Sequence, residues 1–399
     1  MRQPAPDHNQ RGIEEADRIR DGLTENAPGL SSKPHSTRVA GTNEANHVEG
    51  RLYFVSERTQ VADERPSPSV RLKAPNIPAA ADRPSFAAIG CEQAGIARGA
   101  YAWRGTTIMN ILGAHALMWV GGWSEVECRK ALENTRATGY NLIEIPVLDP
   151  SSIDVAMTRK VLEGTGLAAS CSLGLSFETD ISSSDPEVVA RGERLLYDAL
   201  AVTRDLGARY LGGVISSALG KYANPPSIEG RNNSLRVIRG LAQQAAASGI
   251  TLGLEVVNRY ESNLINTAKQ ALEFIADAGA DNLKVHLDTY HMNIEEADFT
   301  TPVLACGNQL GYVHVGENHR GYLGTGTVDF PAFFGALAAI NYSGAVTFES
   351  FSSAVTTPGL SSTLAIWRNT WTDSLDLARH AREFIDAGLR GAQVAPTGA

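Results

Sequence analysis

The chain has 399 residues, of which 43% are hydrophobic and 20% charged, and its formal charge is −9. That composition is enough for a full globular core, and the acidic balance argues against nucleic acid or an anionic membrane as a partner of a basic face. No apolar run approaches the roughly 20 residues that cross a bilayer, and the N-terminus lacks a basic-then-apolar export signal, so a cytoplasmic protein is expected.

Taken in chain order, the sequence has two textures. Residues 1–105 hold 14 Lys+Arg and 13 Asp+Glu, leaving 21 − 31 = −10 for the remainder. This first segment is rich in Pro, Arg, Ala, Ser and Asn, and its apolar runs are as short as Leu52–Val55 and Phe86–Ile89. Such a stretch buries too little surface to offset the entropy of ordering it, so a low-complexity, disordered extension is expected. Met109 stands just before the first strand-like run, and translation starting there is an alternative reading.

From residue 107 to about 390, short apolar runs alternate with longer amphipathic ones. Strands are expected at Asn110–Leu117, Leu142–Val147, Leu167–Leu173, Tyr210–Ile215, Thr251–Val257, Leu283–Asp288, Leu310–Val315 and Ala345–Glu349. Helical patterns between and after them include Ser124–Thr138, Pro186–Leu206, Leu235–Ala247, Thr267–Ala278, Pro331–Ile340 and Thr372–Ala387. Gly139, Gly166, Gly207, Gly249 and Gly279 fall where left-handed helix stops belong. Eight strands alternating with helices predict an α/β fold, a single (β/α)8 TIM barrel. A doubly wound sheet would carry a Gly-rich phosphate loop after its first strand, and Gly113-Ala114-His115-Ala116 is not one. The four cysteines (Cys91, Cys128, Cys171, Cys306) are far apart and form no CxxC pair, which reads as free thiols in a reducing cytoplasm.

The active site of such a barrel lies at the C-terminal ends of its strands. Strands five to eight carry Glu255, Asp288, His314 and Glu349 there, 33, 26 and 35 residues apart, each about one βα unit. An ionisable group inside an apolar strand is costly unless paired or bound to metal. Three carboxylates in one pocket would repel each other, and a divalent cation removes that cost. Three oxygen donors with one imidazole suit Mn²⁺, Mg²⁺ or Co²⁺. His291 follows strand six, where its side chain can reach a ligand hydroxyl. Arg259, Glu261 and Arg320 lie in the loops after strands five and seven, as surface charges or as ligand contacts. His286 reads as a core histidine, and His319 as a loop residue. No Gly-rich phosphate loop follows strands seven or eight, and Gly324-Thr325-Gly326 reads as a turn, so an unphosphorylated substrate is expected.

The segments LEVVNRYESNLINTA, VHLDTYHMNIEEADF, YVHVGENHRGYLGTG and FESF resemble the D-tagatose 3-epimerase / D-psicose (allulose) 3-epimerase family, xylose-isomerase-like TIM barrels of the sugar phosphate isomerase/epimerase superfamily. The resemblance spans about residues 110–388. It implies metal ligation by Glu255, Asp288, His314 and Glu349, with Mn²⁺ foremost. It implies acid/base catalysis by Glu255 and Glu349, and sugar binding by Glu261, His291 and Arg320. Trp119, Trp123 and Glu144 match further pocket positions of that family. A ketose substrate and a homodimer or homotetramer are implied as well. Three positions depart from its pattern: His115 replaces an aromatic, Ser172 a Cys and Leu219 a Trp, which touches the choice of ketose rather than the reaction class.

The chemistry expected is inversion at C3 of a free ketose, of the D-tagatose, D-psicose/D-fructose or ribulose type, through a cis-enediolate between two opposed glutamates. Two alternatives stay open. One is another sugar isomerase of this superfamily: an aldose–ketose isomerase, hydroxypyruvate isomerase or inosose dehydratase. The other is a non-catalytic or DNA-repair barrel, which would need a basic groove that the −10 core lacks.

Overall fold

The structure is a computed structural model that describes residues 110–394. The expectations placed on residues 1–105, the Met109 start and Cys91 lie outside the described residues. Eight parallel strands close into a barrel in sequential order. They are β1 (Ile111–His115), β2 (Leu142–Pro146), β3 (Ala168–Leu175), β4 (Tyr210–Ala218), β5 (Thr251–Glu255), β6 (Leu283–Asp288), β7 (Leu310–Val315) and β8 (Ala345–Phe348). The helices are α1 (Glu125–Ala137), α2 (Val155–Thr165), α3 (Pro186–Asp205), α4 (Ile228–Ala247), α5 (Ala268–Ala278), α6 (Thr289–Glu295), α7 (Thr301–Cys306), α8 (Phe330–Ala339), α9 (Pro358–Thr363) and α10 (Ser374–Val394). The barrel expected from strand count is thus the fold found. No helix among the described residues is long and apolar enough to cross a membrane.

Local chemistry sets the element ends. Ser124 and Glu127 form a capping box at the start of α1, and Thr267 with Gln270 forms another at α5. Gly166 closes α2 in the left-handed region at φ 66°, where a side chain would be strained. The main boundary error is at α4. It starts at Ile228, seven residues before the expected Leu235, with Ser227 accepting a hydrogen bond from Gly230 N–H as its cap. The first two turns, IEGRNNS, are poor in apolar residues, but Gly230 and Ser234 are buried in them.

Parallel strands covered by helices on their outer face are buried on both faces, and all nine residues of β4 are buried. Inside the barrel, a lower layer pairs Tyr210 and Tyr312, stacked with ring centroids 4.2 Å apart. The Tyr312 hydroxyl bonds the hydroxyls of Ser170 (2.8 Å) and Thr347 (2.7 Å). Tyr210 fits only because β5 offers a glycine: a Cβ at Gly253 would lie 1.7 Å from Tyr210 Oη. The ionisable layer sits above this one, toward the C-terminal strand ends.

Candidate metal centre and active site

Register places the chemistry. His115 on β1 pairs with Glu144 on β2. Glu255, the last residue of β5, pairs with His286 of β6, and Asp288 of β6 with His314 of β7. Glu349 follows β8 directly. One ligand atom from each of Glu255, Asp288, His314 and Glu349 falls within 4.8 Å of the other three. The four residues picked out by strand-end spacing are therefore brought together.

His314 is the hub. Its Nδ1 lies 3.2 Å from Glu255 Oε1 and 3.5 Å from Glu349 Oε1. Its Nε2 faces away from that pair, 2.8 Å from Glu144 Oε2. Arg320 closes another side, with Nη2 2.9 Å from Asp288 Oδ2 and Nη1 2.8 Å from Glu349 Oε2. Neither of those two contacts has hydrogen-bond geometry, so Asp288 Oδ2 and Arg320 Nη1 stay without a hydrogen-bond partner although buried. Arg320 itself has φ 56°, unusual for a non-glycine residue. Its carbonyl accepts from Ser350 Oγ (2.5 Å), and Ser350 Oγ in turn accepts from Trp371 Nε1 (2.7 Å). The guanidinium lies 4.0 Å over the Tyr290 ring.

The loop residues are held by bonds that strand spacing does not reveal. His291 Nδ1 accepts the backbone N–H of Asn258 (3.2 Å) and lies 2.8 Å from Asn258 Nδ2, which also donates to Glu261 Oε1 (2.8 Å). With Nδ1 occupied as an acceptor, the His291 proton sits on Nε2, 3.6 Å from Asp288 Oδ2. Glu317, fully buried, accepts backbone N–H groups of Gly324 (2.9 Å) and Val328 (3.2 Å) and shapes the loop that carries Arg320. Asn258 and Glu317 escaped the sequence reading because an amide and a loop carboxylate carry no signal of their own. A polar residue placed directly before the charged pair Arg259 and Glu261 was the one available hint.

Trp119 and Trp123 do not reach this site. Both are buried, and their indole N–H groups donate to Thr135 (2.9 Å) and Thr158 (3.0 Å), on α1 and α2. Side-chain direction after a strand is not set by nearness in sequence, and here the amphipathic rings turn toward the helical layer. Arg259 is a surface charge paired with Glu295 at 2.8 Å. His286 is fully buried without a hydrogen bond on either nitrogen, set edge-on against His314 with ring centroids 4.2 Å apart. His319 Nδ1 accepts the Gly321 N–H in its own loop.

Electrostatically the site is overloaded with carboxylates. Burial pushes Asp288 up to about 6 and Glu261 up to about 7. Burial also raises Glu255 and Glu349, although His314 pulls each of them down. His314 is held well above its ordinary value: burial opposes its charge, but Glu144 and Glu349 beside it outweigh that. His291 is driven well below by burial and by Arg320. A divalent cation among Glu255, Asp288, His314 and Glu349 would relieve this repulsion and use the unpartnered Asp288 oxygen. The donor set, three carboxylate oxygens and one imidazole, therefore fits such an ion.

The surrounding cavity is lined by His115, Glu261, His291 and Arg320 on its polar side and by Leu219, Phe351, Leu360 and Leu364 on its apolar side. A second cavity, about 770 Å³, opens at the other end of the barrel beside Ile111, Tyr210 and Lys284. Among the described residues, both groupings of potential metal ligands lie at the C-terminal end instead.

Residues 132–386 match the family model of the xylose isomerase-like TIM barrel. Over 273 residues the chain is 54% identical to an L-ribulose 3-epimerase from Methylomonas sp. (strain DH-1), covering 68% of this chain and 96% of that protein. The chain belongs to the ketose 3-epimerase family. It is also 50% identical to a ketose 3-epimerase of Arthrobacter globiformis, over 69% of this chain and 95% of the relative. A solved D-allulose 3-epimerase from Methylomonas sp., in complex with D-allulose, superposes with a TM-score of 0.69 at 53% identity, covering 69% of this chain and 96% of that one. The chain is thus a carbohydrate epimerase of the isomerase class, and the family resemblance of its strand-end segments holds.

Proposed function

We propose that this chain inverts C3 of a free ketose of the ribulose or allulose type, with Glu255 and Glu349 as its two proton-handling groups. The observation that carries the reading is their convergence. They enter one cluster from β5 and from the end of β8, three places apart in a ring of eight strands, with His314 Nδ1 between them at 3.2 and 3.5 Å. One carboxylate removes the C3 proton, and its electron pair moves toward the C2 carbonyl to give a cis-enediolate. The other, protonated, returns a proton to the opposite face of C3. Burial raises both carboxyls and so keeps a protonated form available near neutral pH. Glu255, Asp288, His314 and Glu349 would hold a divalent cation, which would supply Lewis acidity to polarise the substrate carbonyl. The donor chemistry favours Mn²⁺, with Co²⁺ or Mg²⁺ as substitutes.

Arg320 and the His291 Nε2–H are donors that hold the O1–O3 end of the sugar, and Glu261 is an acceptor for one of its hydroxyls. The same reading extends to a homodimer or homotetramer in the cytoplasm. Trp367, Ile228 and Val126 expose their apolar side chains, and Cys128, Cys171 and Cys306 are unpaired, which supports it. A panel of L-ribulose, D-allulose, D-fructose and D-tagatose with added Mn²⁺ tests the function. Formation of the C3 epimer is expected, whereas aldose as the sole product would overturn it.

A further inference from the structure

We infer that Glu144 is a positioning residue, which fixes His314 with its proton on Nε2 and so turns the Nδ1 lone pair toward the ion. The inference rests on the ligand reading of His314 given above. Glu144 is the central residue of β2, fully buried, and no hydrogen bond joins it to Glu255 or Glu349. Its Oε2 is 2.8 Å from His314 Nε2, a short charge-assisted hydrogen bond between two buried side chains. The other His314 nitrogen faces the Glu255 and Glu349 oxygens. A ring whose Nε2–H is held by a carboxylate presents the Nδ1 lone pair as a metal ligand, and such an outer partner also raises the basicity of the ligand.

Glu144 is itself braced. Its Oε1 has no hydrogen bond of its own and lies 3.5 Å from His115 Nε2. His115 Nδ1 accepts the Leu117 N–H at 3.3 Å, which puts the His115 proton on Nε2, toward Glu144 and Ser172 Oγ (3.4 Å). Two of the side chains come from adjacent strands, His115 pairing with Glu144 in register, and His314 of β7 reaches Glu144 across the barrel interior. A buried carboxylate between two imidazoles costs desolvation that a purely structural core would avoid with an apolar residue. Its use here is orientation of the ligand.

The test uses the full chain and Mn²⁺ itself. Mn²⁺ binding, followed by the electron paramagnetic resonance of the free ion, is measured for wild type, Glu144→Leu, His115→Phe and His314→Gln, beside the melting temperature of each metal-free protein. Leucine fills the volume of Glu144 and removes the acceptor. Glu144→Leu is expected to bind Mn²⁺ some 10- to 100-fold more weakly with a metal-free melting temperature no lower than wild type. His115→Phe is expected to show a smaller loss of the same kind. In ¹⁵N-histidine-labelled, Mg²⁺-saturated wild type, one far-downfield imidazole N–H is expected, and it vanishes in Glu144→Leu. Unchanged Mn²⁺ affinity in Glu144→Leu overturns the inference, as does equal loss of affinity and metal-free stability. If His314→Gln binds Mn²⁺ like wild type, the ligand reading fails instead. Should Glu144→Leu not fold, Glu144→Met, which likewise removes the acceptor, is measured for the same resonance and affinity with the same expected and overturning results.

Discussion

At the scale of single residues, the proposed proton exchange depends on carboxylates that burial holds above their ordinary values. On the proposed mechanism, Glu255→Gln and Glu349→Gln each remove one proton-handling group and one carboxylate of the proposed ion site. Turnover is expected to fall by about 10²–10⁴-fold or more in steady-state assays at saturating Mn²⁺, the range of acid/base contributions. Glu261 supplies a different test. Its carboxyl, ordinarily near 4.5, is pushed up to about 7 by burial. The folded state therefore binds this proton more tightly than the unfolded chain does. The cost of ionising it is absent below about pH 4.5, grows through pH 4.5–7 and is complete above about 7. Metal-free Glu261→Gln should melt at a higher temperature than wild type at pH 8 and at the same temperature at pH 4, with a loss of sugar binding. Equal melting curves at pH 8 would count against the buried, raised carboxyl. The residues that the sequence left hidden at this scale act through hydrogen bonds: Asn258 links His291 to Glu261, and Arg320 is fixed by its backbone at φ 56°. Neither partnership has a spacing that a single sequence displays.

At the scale of elements, hydrophobic periodicity located all eight strands, because parallel strands buried on both faces read as short apolar runs. The expected helix starts at Ser124 and Thr267 coincide with the capping residues of α1 and α5. What escaped was the start of α4 and the short helices α6, α7 and α9, whose few turns cannot establish a 3.6-residue period. Trp119 and Trp123 were misplaced because a resemblance locates a residue on the chain, while contacts with α1 and α2 decide where its ring goes. The barrel interior offers a stability test. Tyr210 Oη is buried without a hydrogen-bond partner. Tyr210→Phe should leave thermal stability unchanged or raise it by up to about 1 kcal/mol, since it removes an unmet polar group. Gly253→Ala should cost roughly 1–3 kcal/mol through overpacking against that ring. Phe at 210 should restore part of the loss, because Oη is the nearest atom to the added methyl. Additive effects of the two substitutions in denaturant titrations would contradict this arrangement.

For the whole molecule, the charge arithmetic takes on a structural meaning. Of the −10 carried by residues 106–399, Glu144, Asp288 and Glu349 are buried in the described barrel, around His314 and Arg320. Acidity of this kind is a demand for a cation rather than surface solvation. Chelation of divalent ions should therefore lower the melting temperature, and Mn²⁺ at about 100 times its dissociation constant should restore about 2.7 kcal/mol. No response to chelator or to Mn²⁺ in calorimetry would contradict a metal centre.

The central claim is proton exchange at C3 between two carboxylates, and nuclear magnetic resonance in D₂O tests it most directly. Incubated with L-ribulose or D-allulose and Mn²⁺, the enzyme is expected to place deuterium at C3 of both epimers, with Glu255→Gln and Glu349→Gln each abolishing net epimerisation. Deuterium confined to C1 or C2, or full epimerisation by either variant, would contradict the account.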